Sequence, residues 1–251
     1  MADEEILLNA ILRTTIMINQ PTIKKFNYCD LGLIDYKLAW DLQHEVFTKR
    51  VKNEIYDTFF MLEHPHTYTL GKVAEKENLI SSESQLKELG ISVYEIDRGG
   101  DITYHGPGQI VGYPIINLSN WKEDTHEYLR GLEEVIMNVC SEYGLTTHRN
   151  PKYTGVWIEE RKIAAIGIKV SRWTTKHGFA FNVNTDLNYF GGIIPCGIRD
   201  KEVTSLKKEI GREIQIDEVK EKLVKKFKDF FGYGSFDVKE KENYLNSILQ
   251  P

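Results

Sequence analysis

The chain has 251 residues, 41% of them hydrophobic and 27% charged, which is enough for one large domain with its own core and excludes a disordered polypeptide. A net charge of -5 argues against a nucleic-acid surface, and the apolar run ILLNAILRTTIMI, broken by Asn9 and Arg13 after an acidic opening, reads as neither a membrane span nor a signal peptide. Cys29, Cys140 and Cys196 lack metal-ligand spacing, so no zinc site or disulfide framework is expected and a reducing cytoplasm fits best.

Residues 1–22 form an extension whose role the sequence leaves open, and residues 23–251 read as one catalytic-sized domain. TIKKFNY predicts a strand. From Ile34 to about Arg50, Leu38, Leu42 and Val46 recur at helical spacing with Ala39 beside them. DTFFMLEH is strand-like and ends in the turn-prone HPHTYTLG, where His64 and His66 alternate. Without a third ligand nearby, those histidines suit packing and turn roles better than metal binding. SESQLKEL opens with serines fit for an N-cap, and ISVYEID returns to strand. In the following strand, IVGYPIINL, Pro114 cannot donate to a ladder and implies an edge or a bulge.

Between Thr125 and Tyr143, the apolar set Tyr128, Leu129, Leu132, Val135, Ile136, Val139, Cys140 and Tyr143 follows a helical stripe, which places Cys140 in the core. TGVWIEERKIAAIGIKV predicts a hairpin turning near Glu159 to Arg161, and GFAFNVN alternates as a central strand. Thr185 to Lys201, with Gly191, Gly192, Pro195 and Gly197, predicts a long structured loop. Val219, Leu223, Phe227 and Phe230 then mark a final helix behind Asp217 as its cap. Strands outnumber helices in mixed order, so the fold class is α+β, a mixed sheet with helices packed on it.

The segment RGGDITYHGPGQ, from Arg98 to Gln109, concentrates turn chemistry between two strands. Gly99 and Gly100 permit backbone conformations closed to other residues and let a ligand approach. Arg98 offers a planar fork of donors, and His105 an acid, base or donor. A β-hairpin whose Gly and Pro only make turns explains the same residues.

This segment resembles the signature of the lipoyl(octanoyl) transferases. EHPHTYTLGK at 63–72 and KIAAIGIKVSRWTTKHGFAFNVNTDLNYFGGIIPCGI at 162–198 agree with it, so the likeness spans about residues 23–230. It implies the biotin/lipoate protein ligase-like fold in a single domain. It also implies a substrate site formed by Arg98, Gly99, Gly100, Asp101, Ile102, Thr103, Tyr104 and His105, by Ala165, Ile166 and Gly167, and by Gly178, Phe179 and Ala180. Cys196 becomes the acyl-carrying nucleophile and Lys162 its partner.

The residues support these roles in part. Cys196 sits between Pro195 and Gly197 on the long loop, a setting that suits an exposed nucleophile or equally a small buried turn residue. A thiol near its reference pKa of about 8.5 is mostly protonated at neutral pH and needs a cation or base to act. Counting by twos from Lys162 reaches Ala164, Ile166, Ile168 and Val170, which would turn its amine toward an apolar pocket. A solvated strand-end lysine is the simpler account. Ala164, Ala165, Gly167, Gly178 and Ala180 leave a narrow lane that an acyl chain could occupy, though tight strand packing needs the same residues.

The resulting expectation is transfer of an octanoyl, or a lipoyl, group to a lysine of lipoyl domains. The donor is octanoyl-acyl carrier protein, and the acceptors are 2-oxoacid dehydrogenase E2 subunits and the glycine cleavage H protein. No cofactor, metal, nucleic acid or membrane is called for. Lys49, Arg50 and Lys52, or Arg149 and Lys152, are candidate docking charges for acidic partners. The alternatives are an ATP-dependent lipoate or biotin protein ligase on the same fold and a non-catalytic acyl-carrier-binding protein, and the absence of a GxxxxGK[ST] loop disfavours ATP.

Overall fold

The computed structural model describes residues 24–194 and 202–249. The extension at residues 1–22 and the PCGI segment with Cys196 lie outside the described residues.

Strand β1 (Lys25–Leu33) leads through helix α1 (Tyr36–Val51) to β2 (Asp57–Glu63) and β3 (Thr67–Leu70). Helix α2 (Glu83–Glu88), β4 (Ser92–Glu95), β5 (Ile102–His105), β6 (Gln109–Ile115) and helix α3 (Thr125–Glu142) follow. Then come β7 (His148–Arg149), β8 (Val156–Ile158), β9 (Arg161–Ser171) and β10 (Thr174–Asn182). After the PCGI segment stand β11 (Glu202–Val203), α4 (Leu206–Ile210), α5 (Ile216–Phe230), β12 (Ser235–Val238) and α6 (Lys241–Leu249). Among the described residues the main sheet runs β12-β1-β2-β6-β10-β9-β8-β7, with β11 parallel to β9, and a smaller sheet runs β4-β3-β5. The mixed α+β architecture is the one expected.

Both faces of the main sheet are covered, which explains why DTFFMLE is an unbroken buried run rather than an alternating one. Phe59 and Met61 join Tyr128, Leu132, Val135, Leu223 and Phe227 in one core. Phe60 and Leu62 point the opposite way and pack with Ala39, Leu42, Val46, Tyr244 and Ile248. The small sheet has a third cluster of its own, built on Tyr68, Leu70, Ile102 and Tyr104.

Several local expectations are confirmed by the contacts. Ser82 and Gln85 form a capping box at α2, the hairpin turns at Glu159 with φ 49°, and Cys140 is buried on α3. Others change. Leu38 is 62% exposed, because the buried face of α1 is Tyr36, Ala39, Leu42, Gln43, Val46 and Arg50. Half of HPHTYTLG is strand, since Thr67–Leu70 pair with both β4 and β5. The cap of α5 is Gln215, and Asp217 lies in the first turn, where its charge suits the helix dipole. That helix is not the last element, because β12 pairs with β1 and α6 covers the second core.

Pro114 is neither on an edge nor in a bulge, since β6 lies between β2 and β10. Pairing with β10 stops at Gly112, and the Pro114 carbonyl accepts instead from the Thr175 hydroxyl at 2.7 Å. A strand residue's N and O point to the same side, so the missing N–H falls where the ladder has already parted.

Candidate active site

A cavity of about 380 Å³ opens on β9 and β10, within the range of small-molecule sites. Arg98, Gly99, Gly100, Asp101, Thr103 and His105 line it from the turn and β5, with Ala165, Ile166 and Gly167 from β9 and Gly178, Phe179 and Ala180 from β10. Lys162 lines it too. Three separate stretches of sequence therefore meet in one place. Ile102 and Tyr104 do not join them: strand alternation turns both into the small-sheet cluster, so these two depart from the expected set.

Lys162 reaches the cavity by a different route from the one its parity suggested. Across β8, Trp157 opposes Lys162 while Val156 opposes Ala164, so Ile163 has no counterpart and the alternation shifts there. Ala164 is consequently packed in the core, and Lys162 shares the cavity with Ala165 and Gly167. Its side chain is buried, with Nζ 4.9 Å from the Trp157 ring centre. Gly155 lies under its stem: a Cβ there would sit 2.5 Å from the Ala164 carbonyl and 3.4 Å from Lys162 Cδ, and the backbone has φ +132°. The Gly155 N–H donates to the buried Glu133 at 3.1 Å, which also holds Arg130 at 2.6 Å and Arg149 at 3.1 Å.

The turn grips the sheet through backbone. Gly99 N–H donates to Ile168 O at 3.0 Å, and Arg98 donates to Thr69 O at 2.8 Å and to Gly99 O at 3.0 Å. The arginine fork thus braces its own turn, where the sequence reading offered it to a ligand. Gly167 makes room for it, since a Cβ there would lie 2.9 Å from Arg98 Cδ.

Residues with no conspicuous motif complete the walls: Tyr36, Val111, Tyr113 and His177, with Val73, Leu129, Lys152, Tyr153 and Thr154. Tyr113 and Tyr36 could have been suspected only from their polar heads inside apolar runs. The Tyr113 hydroxyl meets His64 Nε2 at 2.9 Å, and His64 Nδ1 donates to Ile34 O at 2.8 Å. Burial pulls the His64 pKa down to about 4, so the ring is neutral and serves packing. Asp97 accepts from the lining residue His177 through Nε2 at 2.7 Å, from Lys169 at 2.6 Å and from Lys176 at 3.1 Å. These partners, His177 first, hold its carboxyl far below the usual range, while burial lowers His177 itself.

Burial raises the thiols of Cys29 and Cys140 to about 12, which removes both as nucleophiles near neutrality. Of the suggested docking charges, Arg50 is buried against Asp57 and Arg149 is held by Glu133 and Glu134. Lys152 is exposed beside the cavity. Among the described residues no cluster of three metal-ligating side chains occurs, and no helix is long and apolar enough to cross a membrane.

The mixed sheet flanked by helices that carries this cavity has the fold of the lipoate protein ligases. A bi-partite lipoate protein ligase structure from Thermoplasma acidophilum superposes with a TM-score of 0.68 at 18% identity, covering 89% of this chain and 91% of that one. Residues 35–228 match the lipoyl protein ligase A/B catalytic domain family, and the chain belongs to that family. Within it, an octanoyltransferase from Christiangramia forsetii is 51% identical over 83% of this chain and 96% of its own. Another from Rubrobacter xylanophilus is 52% identical over 80% and 91% respectively. The chain stands with these enzymes as an acyltransferase of protein lipoylation.

Proposed function

We propose that this enzyme moves an octanoyl group from the thioester of acyl carrier protein to a lysine of a lipoyl domain, with Cys196 holding the acyl group between the two steps. The Cys196 thiolate attacks the thioester carbonyl and forms a new thioester, and the carrier's thiol leaves with a proton. The acceptor's lysine amine then attacks, an amide forms, the C–S bond breaks and the amine's surplus proton returns to the cysteine. The first exchange is nearly balanced and the second is downhill, so the sequence of steps needs neither ATP nor metal. Lys162 serves Cys196 as a cation or a proton carrier. The acyl chain lies along Ala165, Gly167, Gly178 and Ala180, and the acceptors are lipoyl domains of E2 subunits and of the glycine cleavage H protein in the cytoplasm.

The observation that carries this reading is the buried Lys162 in the same cavity as that small-residue lane. Intact mass after mixing with octanoyl-acyl carrier protein tests it. Wild type gains one octanoyl group without ATP or magnesium, and folded Cys196→Ala gains none. Transfer by Cys196→Ala at the wild-type rate would refute the mechanism, and a strict ATP requirement with free octanoate would select a ligase instead.

A further inference from the structure

Gln109 and Asn182 belong to no part of the acyl lane, yet both are buried. With Lys162 and Val203 they line a small cavity beside the main one. Their hydrogen bonds have only one consistent direction. The Thr204 carbonyl can only accept, and takes an N–H from Asn182 Nδ2 at 3.0 Å. Asn182 Oδ1 is therefore the acceptor facing Gln109 Nε2 at 3.0 Å, and that nitrogen's other hydrogen goes to Tyr104 O at 3.0 Å. Gln109 Oε1 is left as an acceptor 2.9 Å from His105 Nδ1, so the proton sits on Nδ1. His105 Nε2 keeps its lone pair toward the Thr69 hydroxyl at 3.4 Å, whose oxygen accepts from Arg98 at 3.0 Å. At the far end, Thr204 N–H donates to the Lys162 carbonyl at 2.9 Å.

We propose that Gln109 is a positioning residue: its carboxamide fixes the tautomer of His105 in the cavity wall and, through Asn182, seats the backbone of Thr204 against Lys162. Turn, wall and lysine are then joined by one directional line of hydrogen bonds, Arg98–Thr69–His105–Gln109–Asn182–Thr204. Both nitrogens of His105 are turned into the protein, and the cavity meets an uncharged ring. The groups facing that ring are Tyr36, His64, Arg98 and His177. Burial foremost holds its pKa well below the usual histidine value, and none of these neighbours supplies the negative charge that would favour imidazolium. The functional side of this inference rests on the cavity being the acyl site; the tautomer does not.

Nitrogen-15 histidine spectra of the full-length protein, followed from neutral pH down to the acid edge of the folded state, test it. Wild-type His105 should remain neutral with its proton on Nδ1. Gln109→Glu places a carboxylate against Nδ1 and should raise the His105 pKa. Octanoyl transfer should then acquire an acid limb at that new pKa, with KM for the octanoyl donor raised more than kcat is lowered. Gln109→Met should lose the single-tautomer signature without gaining the acid limb. An Nε2–H tautomer in wild type overturns the proposal, and so does a Gln109→Glu enzyme whose pH profile parallels wild type. The wild-type spectrum needs neither a variant nor an acyl donor, so it decides even if a variant folds poorly. If wild type keeps the predicted tautomer but transfers no octanoyl group, the acyl-site reading alone has failed.

Discussion

The Arg50 guanidinium meets the Asp57 carboxylate at 2.6 Å, with both side chains almost wholly out of water. Asp57 also accepts from the Asn117 N–H at 2.9 Å and from the Tyr233 hydroxyl at 2.7 Å. One carboxylate therefore joins α1, β2, the turn just after β6 and the turn after α5. Removing one partner of such a pair strands the other charge, which typically costs about 3–5 kcal/mol. Arg50→Leu should lower the urea midpoint accordingly. Lys37→Ala, which breaks the exposed pair with Asp41, should change stability by less than about 1 kcal/mol. Equal effects from the two variants would show that the buried pair is not a structural joint.

Acid should weaken this fold well before its surface carboxylates titrate. Burial lowers His64 from 6.5 to about 4, and lowers His105 and His177 as well. Between the folded and unfolded values the unfolded chain binds more protons, so the stabilisation is present above about pH 6.5 and is lost as pH falls toward 4. At 1.36 kcal/mol per unit, His64 alone contributes about 3 kcal/mol. Urea midpoints measured at pH 7.5 and pH 5 should fall with acid, and less steeply in His64→Gln (conditions set on either side of about 6.5). A midpoint that is flat over that interval contradicts the burial of these rings in neutral form.

The legible part of this molecule is the part that depends on local chemistry. RGGDITYHGPGQ displays its turn residues openly, and the α3 stripe declares its buried face. What remained hidden depends on long-range pairing. The unpaired Ile163 that redirects Lys162 exists only because β8 and β9 slip by one residue, and no count along β9 alone contains that information. Pro114 breaks the edge rule because the regular β10 ladder is interrupted beside it and the Thr175 hydroxyl takes its carbonyl. Tyr113, Gln109 and Asn182 look like ordinary strand residues until the sheet order brings them together. β12 and α6 were missed because each is short and gains its stability from β1 and α1, formed some two hundred residues earlier in the chain.

Gly71 tests the brace on the turn. A Cβ there would lie 2.1 Å from the Gly100 carbonyl oxygen and 2.8 Å from Arg98 Nη1, and backbone cannot yield cheaply. Gly71→Ala should shift the 98–100 segment and reduce octanoyl transfer by on the order of tenfold to a hundredfold, the scale of a small misplacement in a binding site. Gly191→Ala, whose Cβ would meet nothing within 4 Å, is the control and should transfer normally. Single-turnover rates on the two folded variants decide the matter; a Gly71→Ala enzyme as fast as wild type would reduce the turn to scaffold.

Lys162 has two ways of serving the proposed Cys196 nucleophile: its charge can stabilise thiolate, or its amine can carry a proton away and return it. Arginine separates them, because it keeps the charge at every working pH and does not readily release a proton. Lys162→Arg should therefore preserve much of the thiolate reactivity while losing transfer. Proton transfer by a positioned group is typically worth about a hundred- to ten-thousand-fold, so the loss should be plain. Lys162→Ala should lose both. The Lys162 amine lies over Trp157 and its stem beside Gly155, so each variant must first match the wild-type thermal transition. Iodoacetamide alkylation reads the reactivity of the thiol in each protein. Alkylation and single-turnover transfer, compared across the three proteins, give the two properties separately. Should Lys162→Arg transfer octanoyl at nearly the wild-type rate, the proton-carrier role is eliminated and the electrostatic one stands alone.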